Sequence, residues 1–183
     1  MTTTPYIEGT QIYLREVRDS DVNDNYYNWL NDPSVNQFLE TRFMPRSHKN
    51  ISGFVQYMDG KSDEVLFAIC VKDNDKHIGN IKIGPINWIH RFADISLLIG
   101  DKDYWGKGIA TEAIKLVTTF GFKQLNLHKI KAGCYVDNIG SKNAFLKAGY
   151  TLEATLKKHF FANGSYQDTF LLGILDDEYN KKQ

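Results

Sequence analysis

The spacing of apolar positions changes several times along the chain, and each change marks an element. Gln11-Ile12-Tyr13-Leu14-Arg15-Glu16-Val17 alternates and predicts a strand. Asp19 or Ser20 then offers a helix cap, and Tyr26, Trp29 and Leu30 share one face of a helix running to about Leu30. Asn31-Asp32-Pro33 stops it. Ser47 predicts the cap of a second helix that carries Ile51, Phe54, Val55 and Met58 and ends at Gly60. The period then shortens to that of strands. Val65 to Val71 is an apolar run, Asp73-Asn74-Asp75-Lys76 turns, and His77 to Ile83 returns as its hairpin partner.

Phe92 to Ile99 reads as a further strand. A helix follows over about 108–125, with Ile109, Ala113, Ile114, Val117 and Phe120 at helical spacing. Residues 129–136 predict a strand and 141–148 a short helix ended by Gly149. Residues 150–160 and 166–175 flank Asn163-Gly164, a strong hairpin signal. A strand, two helices, three strands, helix, strand, helix and hairpin give an α/β (α+β) fold with a mixed sheet and helices on both faces.

Composition narrows the classes. With 183 residues and 42% hydrophobic content the chain can build a real core, so a single domain over 1–183 is expected. Lysine plus arginine equals aspartate plus glutamate at 22 each, which gives no support to a general nucleic-acid binder. Cys70 and Cys134 form no C-x-x-C pair and no metal-ligand spacing with histidine; they read as buried thiols in a reducing compartment, and no metal is expected. MTTTPYIEG has neither a basic nor an apolar leader region, and no apolar run approaches the ~20 residues of a membrane span. A cytoplasmic enzyme or binding domain, with neither membrane nor nucleic acid as partner, is the expectation.

The stretch YWGKGIATEA concentrates the candidate chemistry. It joins a strand end to a helix start, where the first N–H groups have no intrahelical partner and the helix dipole is positive. Gly106 and Gly108 remove side chains that would hold a phosphate away, and Lys107 adds a mobile charge. The alternatives are a plain strand-to-helix turn or a pyrophosphate cradle. No G-x-x-x-x-G-K-[ST] is present, and G-x-G-x-x-G is incomplete, which excludes a Walker loop and disfavours a dinucleotide fingerprint.

The wider pattern FADISLLIGDKDYWGKGIATEAIKLVTTFGF, followed by LNLHKIKAGCYVDNIGSKNAFLKAGY, resembles the Gcn5-related N-acetyltransferase (GNAT) superfamily, especially its ribosomal-protein and spermidine acetyltransferase branch. The likeness is specific over about 77–150 and looser from Ile12 to NGSYQD. The family loop Q/R-x-x-G-x-G/A reads here Trp105-Gly106-Lys107-Gly108-Ile109-Ala110, with tryptophan in the polar first place. The resemblance implies a mostly antiparallel seven-stranded sheet with a V-shaped splay between the fourth and fifth strands. It also implies that the amides of Gly106 to Thr111 hold the pyrophosphate of acetyl-CoA, and that Leu97-Leu98-Ile99 pair with its pantetheine arm.

The implied reaction is direct attack of an amine on the thioester, with a backbone N–H near Ile99 facing the oxyanion. Asn138 matches the asparagine that bonds the arm. The coenzyme contacts that the resemblance implies also include Trp105, Ser141 and Phe145. Phe145 stands where many relatives carry a tyrosine acid, so that acid is absent; Ser141 is the substitute candidate, with a helix cap as its structural alternative. For the base, Glu40 in QFLETRF ranks first, ahead of His90, His159, Tyr166 and Asp94, each of which also reads as an ordinary surface or strand residue. Tyr26, Tyr27, Trp29 and Phe38 read as core before ligand cage.

Two acceptors lead. One is a protein N terminus. The other is a nucleotide-linked amino sugar, because YYNWLNDPSVNQFLETRF resembles the opening of such acetyltransferases and Arg42, Arg46, Lys49 and Lys61 would suit a diphosphate. A polyamine follows, disfavoured by that mixture of charges. A coenzyme-A-binding module without turnover is the alternative from another class. The family also implies a homodimer through the last hairpin.

Overall fold

The computed structural model describes residues 4–162 and 164–181. Its strands are β1 (Ile7–Glu8), β2 (Ile12–Glu16), β3 (Val65–Val71), β4 (His77–Ile83), β5 (Phe92–Ile99), β6 (Lys129–Tyr135), β7 (Thr151–Ala162) and β8 (Ser165–Leu175). Its helices are α1 (Asp24–Asn31), α2 (Pro33–Asn36), α3 (His48–Met58), α4 (Ile109–Lys123), α5 (Ile139–Lys147) and α6 (Asp176–Asn180). The two-residue β1 adds an eighth strand to the expected seven among the described residues. Asn163 of the hairpin signal lies outside the described residues, as do Met1 to Thr3 of the leader reading; Gly164 has φ 78°.

The chain forms two compact units. One comprises the residues up to Lys82 together with Leu97–Ile109; the other comprises Ile83–Ser96 and the residues from Ala110 onward. In the first unit the strand order is β1-β2-β3-β4, with β2 antiparallel to both neighbours β1 and β3. Tyr26, Trp29, Val35, Ile51 and Val55 form its helical core, joined by Leu98 of β5. Tyr26 and Trp29 are therefore core residues, as their spacing predicts. Asn23, rather than Asp19 or Ser20, caps α1, its side chain accepting from the amides of Asn25 and Tyr26. Asp19 and Ser20 sit in a 3-10 turn that ends on Asp21, whose carboxylate is taken by Arg15 at 2.7 Å through both guanidinium nitrogens. Asp32 ends α1 and caps α2 in turn, with Pro33 at the first position.

The buried Arg15–Asp21 pair fixes the approach to α1. His77 of β4 lies 3.6 Å from the same carboxylate and bonds Asn80 at 2.9 Å. Burial holds the His77 imidazole below its usual pKa, against the pull of Asp21.

In the second unit β6 lies between β5 and β8, and β7 pairs with β8. The β5–β6 pair is parallel and joins Phe92–Asp94 to Lys129–Lys131 only, although both strands run on. The two strands thus part after three residues, which is the expected splay. The predicted apolar face of α4 is buried, with Ala113, Ile114 and Val117 at 0% exposure. Cys134 and, in the first unit, Cys70 are buried and unpaired. Among the described residues no helix is long and apolar enough to cross a membrane, and no cluster of His, Cys, Asp and Glu could hold a metal ion.

Candidate active site

In the first unit β5 ends at Ile99 and a tight turn leads into the glycine loop. Gly100 is required there, because a Cβ would fall 2.0 Å from the Trp29 ring. The turn is closed by Asp101, whose side chain accepts from the Asp103 amide at 3.0 Å and whose carboxylate pairs with Lys76 at 2.7 Å. Lys102 reaches Asp32 at 2.7 Å. That contact, with a bond from the Ser34 hydroxyl, holds the Asp32 carboxyl down to about 2. Trp105 follows, 45% exposed, and its indole Nε1 donates to the Ile99 carbonyl at 2.8 Å.

Beyond it Gly106 and Gly108 take φ of 73° and 82° with open space where a Cβ would be. Lys107 lies over the Tyr104 ring at 5.4 Å. The loop then feeds the N terminus of α4, a 15-residue helix. Left-handed glycines with open surroundings, leading into a helix N terminus whose first N–H groups have no intrahelical acceptor, fit a bulky anion such as the pyrophosphate of coenzyme A. Ile109 is buried and anchors the helix, while Ala110 and Thr111 are half-buried.

Glu40 belongs to the same unit. It opens a 3-10 turn (Glu40–Phe43) after α2, with its side chain 61% exposed and 3.7 Å from Arg42. Arg42 itself donates to the Leu39 carbonyl at 2.8 Å and lies over Phe43. Lys61 is shared by Glu64 and Asp63 and rests on Tyr57. Glu64 also takes Lys82. Two of the cations suited to a nucleotide diphosphate are therefore committed within the chain, a fact their sequence spacing does not reveal.

The second unit holds the remaining candidates. Asn138 caps α5, its side chain accepting from the Ser141 amide at 3.1 Å. Ser141 is thus not the cap, which corrects its structural alternative. Its hydroxyl instead hydrogen-bonds the Cys134 thiol, which burial pushes up and so keeps protonated. Phe145 is 2% exposed and packs edge-on against Tyr150 at 5.1 Å. That is a core position, so its expected contact with the coenzyme does not follow from its surroundings. Tyr150 does not replace the missing acid either: it is buried, its hydroxyl is bonded to Thr118 at 2.8 Å, and burial pushes its pKa up.

The other base candidates have ordinary surroundings. His90 is exposed beside Phe92, His159 leans on Phe160, Tyr166 on Phe161, and Asp94 pairs with Lys131 at 3.3 Å.

Comparison with known proteins identifies the family. A family model described as the acetyltransferase (GNAT) domain matches residues 11–151. A Bacillus subtilis protein named "Probable N-acetyltransferase YjcK" is 33% identical over 187 residues, covering 94% of this chain and 99% of its own. The spermidine N(1)-acetyltransferase of Escherichia coli is 32% identical over 109 residues, covering 60% of this chain and 58% of its own. The crystal structure of the Vibrio cholerae spermidine N-acetyltransferase with CoA and spermine superposes with a TM-score of 0.83 at 27% identity, covering 93% of this chain and 98% of that one. The chain belongs to the GNAT acetyltransferase family and is an acyltransferase that moves acetyl from acetyl-CoA to an amine.

Proposed function

We propose that the acceptor is a primary aliphatic amine on a small polycation of the spermidine type. The carrying observation is the likeness, over nearly the whole chain, to the Vibrio cholerae enzyme bound to CoA and spermine. Acetyl-CoA supplies an activated thioester. The chain's own residues would hold it: amides of Gly106, Lys107, Gly108, Ile109, Ala110 and Thr111 on the pyrophosphate, the edge of Leu97-Leu98 on the arm, and the Asn138 amide N–H2, which capping leaves able to donate. The polyamine moves ahead of the amino sugar because Arg42 and Lys61 are engaged inside the chain. A second reading, a protein N-terminal amine, draws on the same ion pairs: Asp32, Glu40 and Glu64 each have a cation partner, which reduces the carboxylate left for a polycation.

Glu40 is exposed on the turn after α2, and it takes the role of relieving the attacking amine of its proton. Glu40→Gln should lower kcat/KM for spermidine about tenfold near neutral pH and recover part of the loss at high pH, where more amine is already deprotonated. Steady-state kinetics across pH check this. A wild-type-like profile in the variant would remove Glu40 from the mechanism. No turnover of spermidine beside rapid turnover of a peptide N terminus would replace the first reading by the second.

Ser141 would donate its proton to the departing thiolate, which leaves as the free thiol. Because Asn138 is the cap, Ser141→Ala should leave the melting temperature nearly unchanged while lowering kcat about tenfold, less than the roughly hundredfold or more usual for a general acid because a thiolate leaves readily without one. Equal kcat in the two proteins would assign the hydroxyl to Cys134 alone.

A further inference from the structure

One peptide unit, Ile99–Gly100, is held at both ends. Its N–H donates to the Ile78 carbonyl of β4 at 2.9 Å, a carbonyl that also accepts from the Asp101 amide at 3.1 Å. Its C=O accepts from the Trp105 indole at 2.8 Å. The C=O and N–H of a trans peptide point in opposite directions, so the indole stands on the side of the strand away from β4. The pairing of β5 with β6 ends at Asp94, five residues before Ile99. Trp29 packs against Gly100 and keeps the unit from rotating.

We propose that Trp105 is a positioning residue: its indole closes the open edge of β5 at Ile99 and so fixes where the arm of acetyl-CoA leaves the strand and turns into the glycine loop. This deepens the coenzyme reading above and rests on it. An extended ligand that pairs with the edge of β5 meets acceptors only up to that point, since the Ile99 carbonyl is occupied. Trp105 also precedes Gly106 directly, so the same bond sets the start of a loop whose two left-handed glycines cost conformational entropy to order. One hydrogen bond then places the start of the phosphate loop at the point where the arm leaves the strand, and leaves the pairing of the arm along β5 untouched.

The test is steady-state kinetics of Trp105→Phe and Trp105→Gln with two acetyl donors, acetyl-CoA and S-acetylpantetheine, which has the arm but no phosphates. Phe keeps the ring without the N–H; Gln restores a donor without the ring. The expected result is a rise of about tenfold in KM for acetyl-CoA in Trp105→Phe, with kcat within about twofold of wild type. KM for S-acetylpantetheine should stay unchanged, and Trp105→Gln should recover most of the loss. An equal penalty on both donors, or a Gln variant as weak as Phe, would overturn the proposal and leave the indole as surface packing. Failure of the coenzyme reading is distinguishable: it would leave acetyl-CoA affinity unchanged in Gly108→Glu as well.

Discussion

Gly108→Glu should abolish acetyl-CoA binding, raising its Kd by at least about a hundredfold, or about 2.7 kcal/mol. Two effects combine. Gly108 has φ 82°, a conformation a side chain adopts only at a cost of about 1 kcal/mol. The larger effect is electrostatic, since a carboxylate would stand at the helix start where the pyrophosphate is read to sit. The open space around the Cβ position means that the substitution does not collide with the fold. Gly108→Ala separates the effects, because it brings the strain without the charge and should lose only about fivefold. Calorimetric titration of acetyl-CoA into the three proteins checks both values. Unchanged affinity in Gly108→Glu would contradict the phosphate loop.

Asp21→Ala should destabilise the protein by about 3–5 kcal/mol, because it leaves the buried Arg15 guanidinium without its counter-charge. Arg15→Met combined with Asp21→Leu should recover most of that loss, since it removes both charges together. Thermal melting of the three proteins measures this, and a single variant as stable as wild type would contradict the pair's role. The same cluster predicts acid sensitivity. Burial alone would raise the Asp21 pKa, but its bonds from Arg15 prevail and hold it below the usual 3.8. That contribution is present above about 4 and lost as pH falls through the lower folded value. Burial keeps His77 below its usual 6.5, so it favours the fold above that pH and opposes it as the unfolded chain binds the proton first. Melting temperature should therefore decline below about pH 6.5 and more steeply below about 4. In Asp21→Ala the first decline should deepen, because the carboxylate that attracts a proton to His77 is gone.

Much of this architecture is legible in the residues themselves. The apolar runs of β3, β4 and β5 match their strands to the residue, and Ile109, Ala113, Ile114, Val117 and Phe120 are the buried face of α4. Burial dictates periodicity, so a local pattern suffices there. The caps were less legible. Asn23 and Asn138 cap α1 and α5, whereas Asp19 and Ser20 are drawn into a 3-10 turn whose last residue, Asp21, is claimed by Arg15, and the Ser141 hydroxyl is claimed by a thiol on a neighbouring strand. Both depend on contacts that spacing does not encode. The glycine loop was readable from its composition, whereas the indole bond of Trp105 was not, since a tryptophan in a loop reads equally as surface packing. Charge was misleading for the same reason. Arg42 and Lys61 look available in sequence and are engaged in the folded chain.

The most direct measurement is free thiol released from acetyl-CoA by the wild-type protein, followed with spermidine, with a peptide bearing a free N terminus, with an amino-sugar nucleotide and with no amine. Release that depends on an amine, is fastest with spermidine and is matched mole for mole by acetylated product is the predicted result. Stabilisation of the protein by acetyl-CoA, with no release for any amine, would contradict it and leave a coenzyme-binding module.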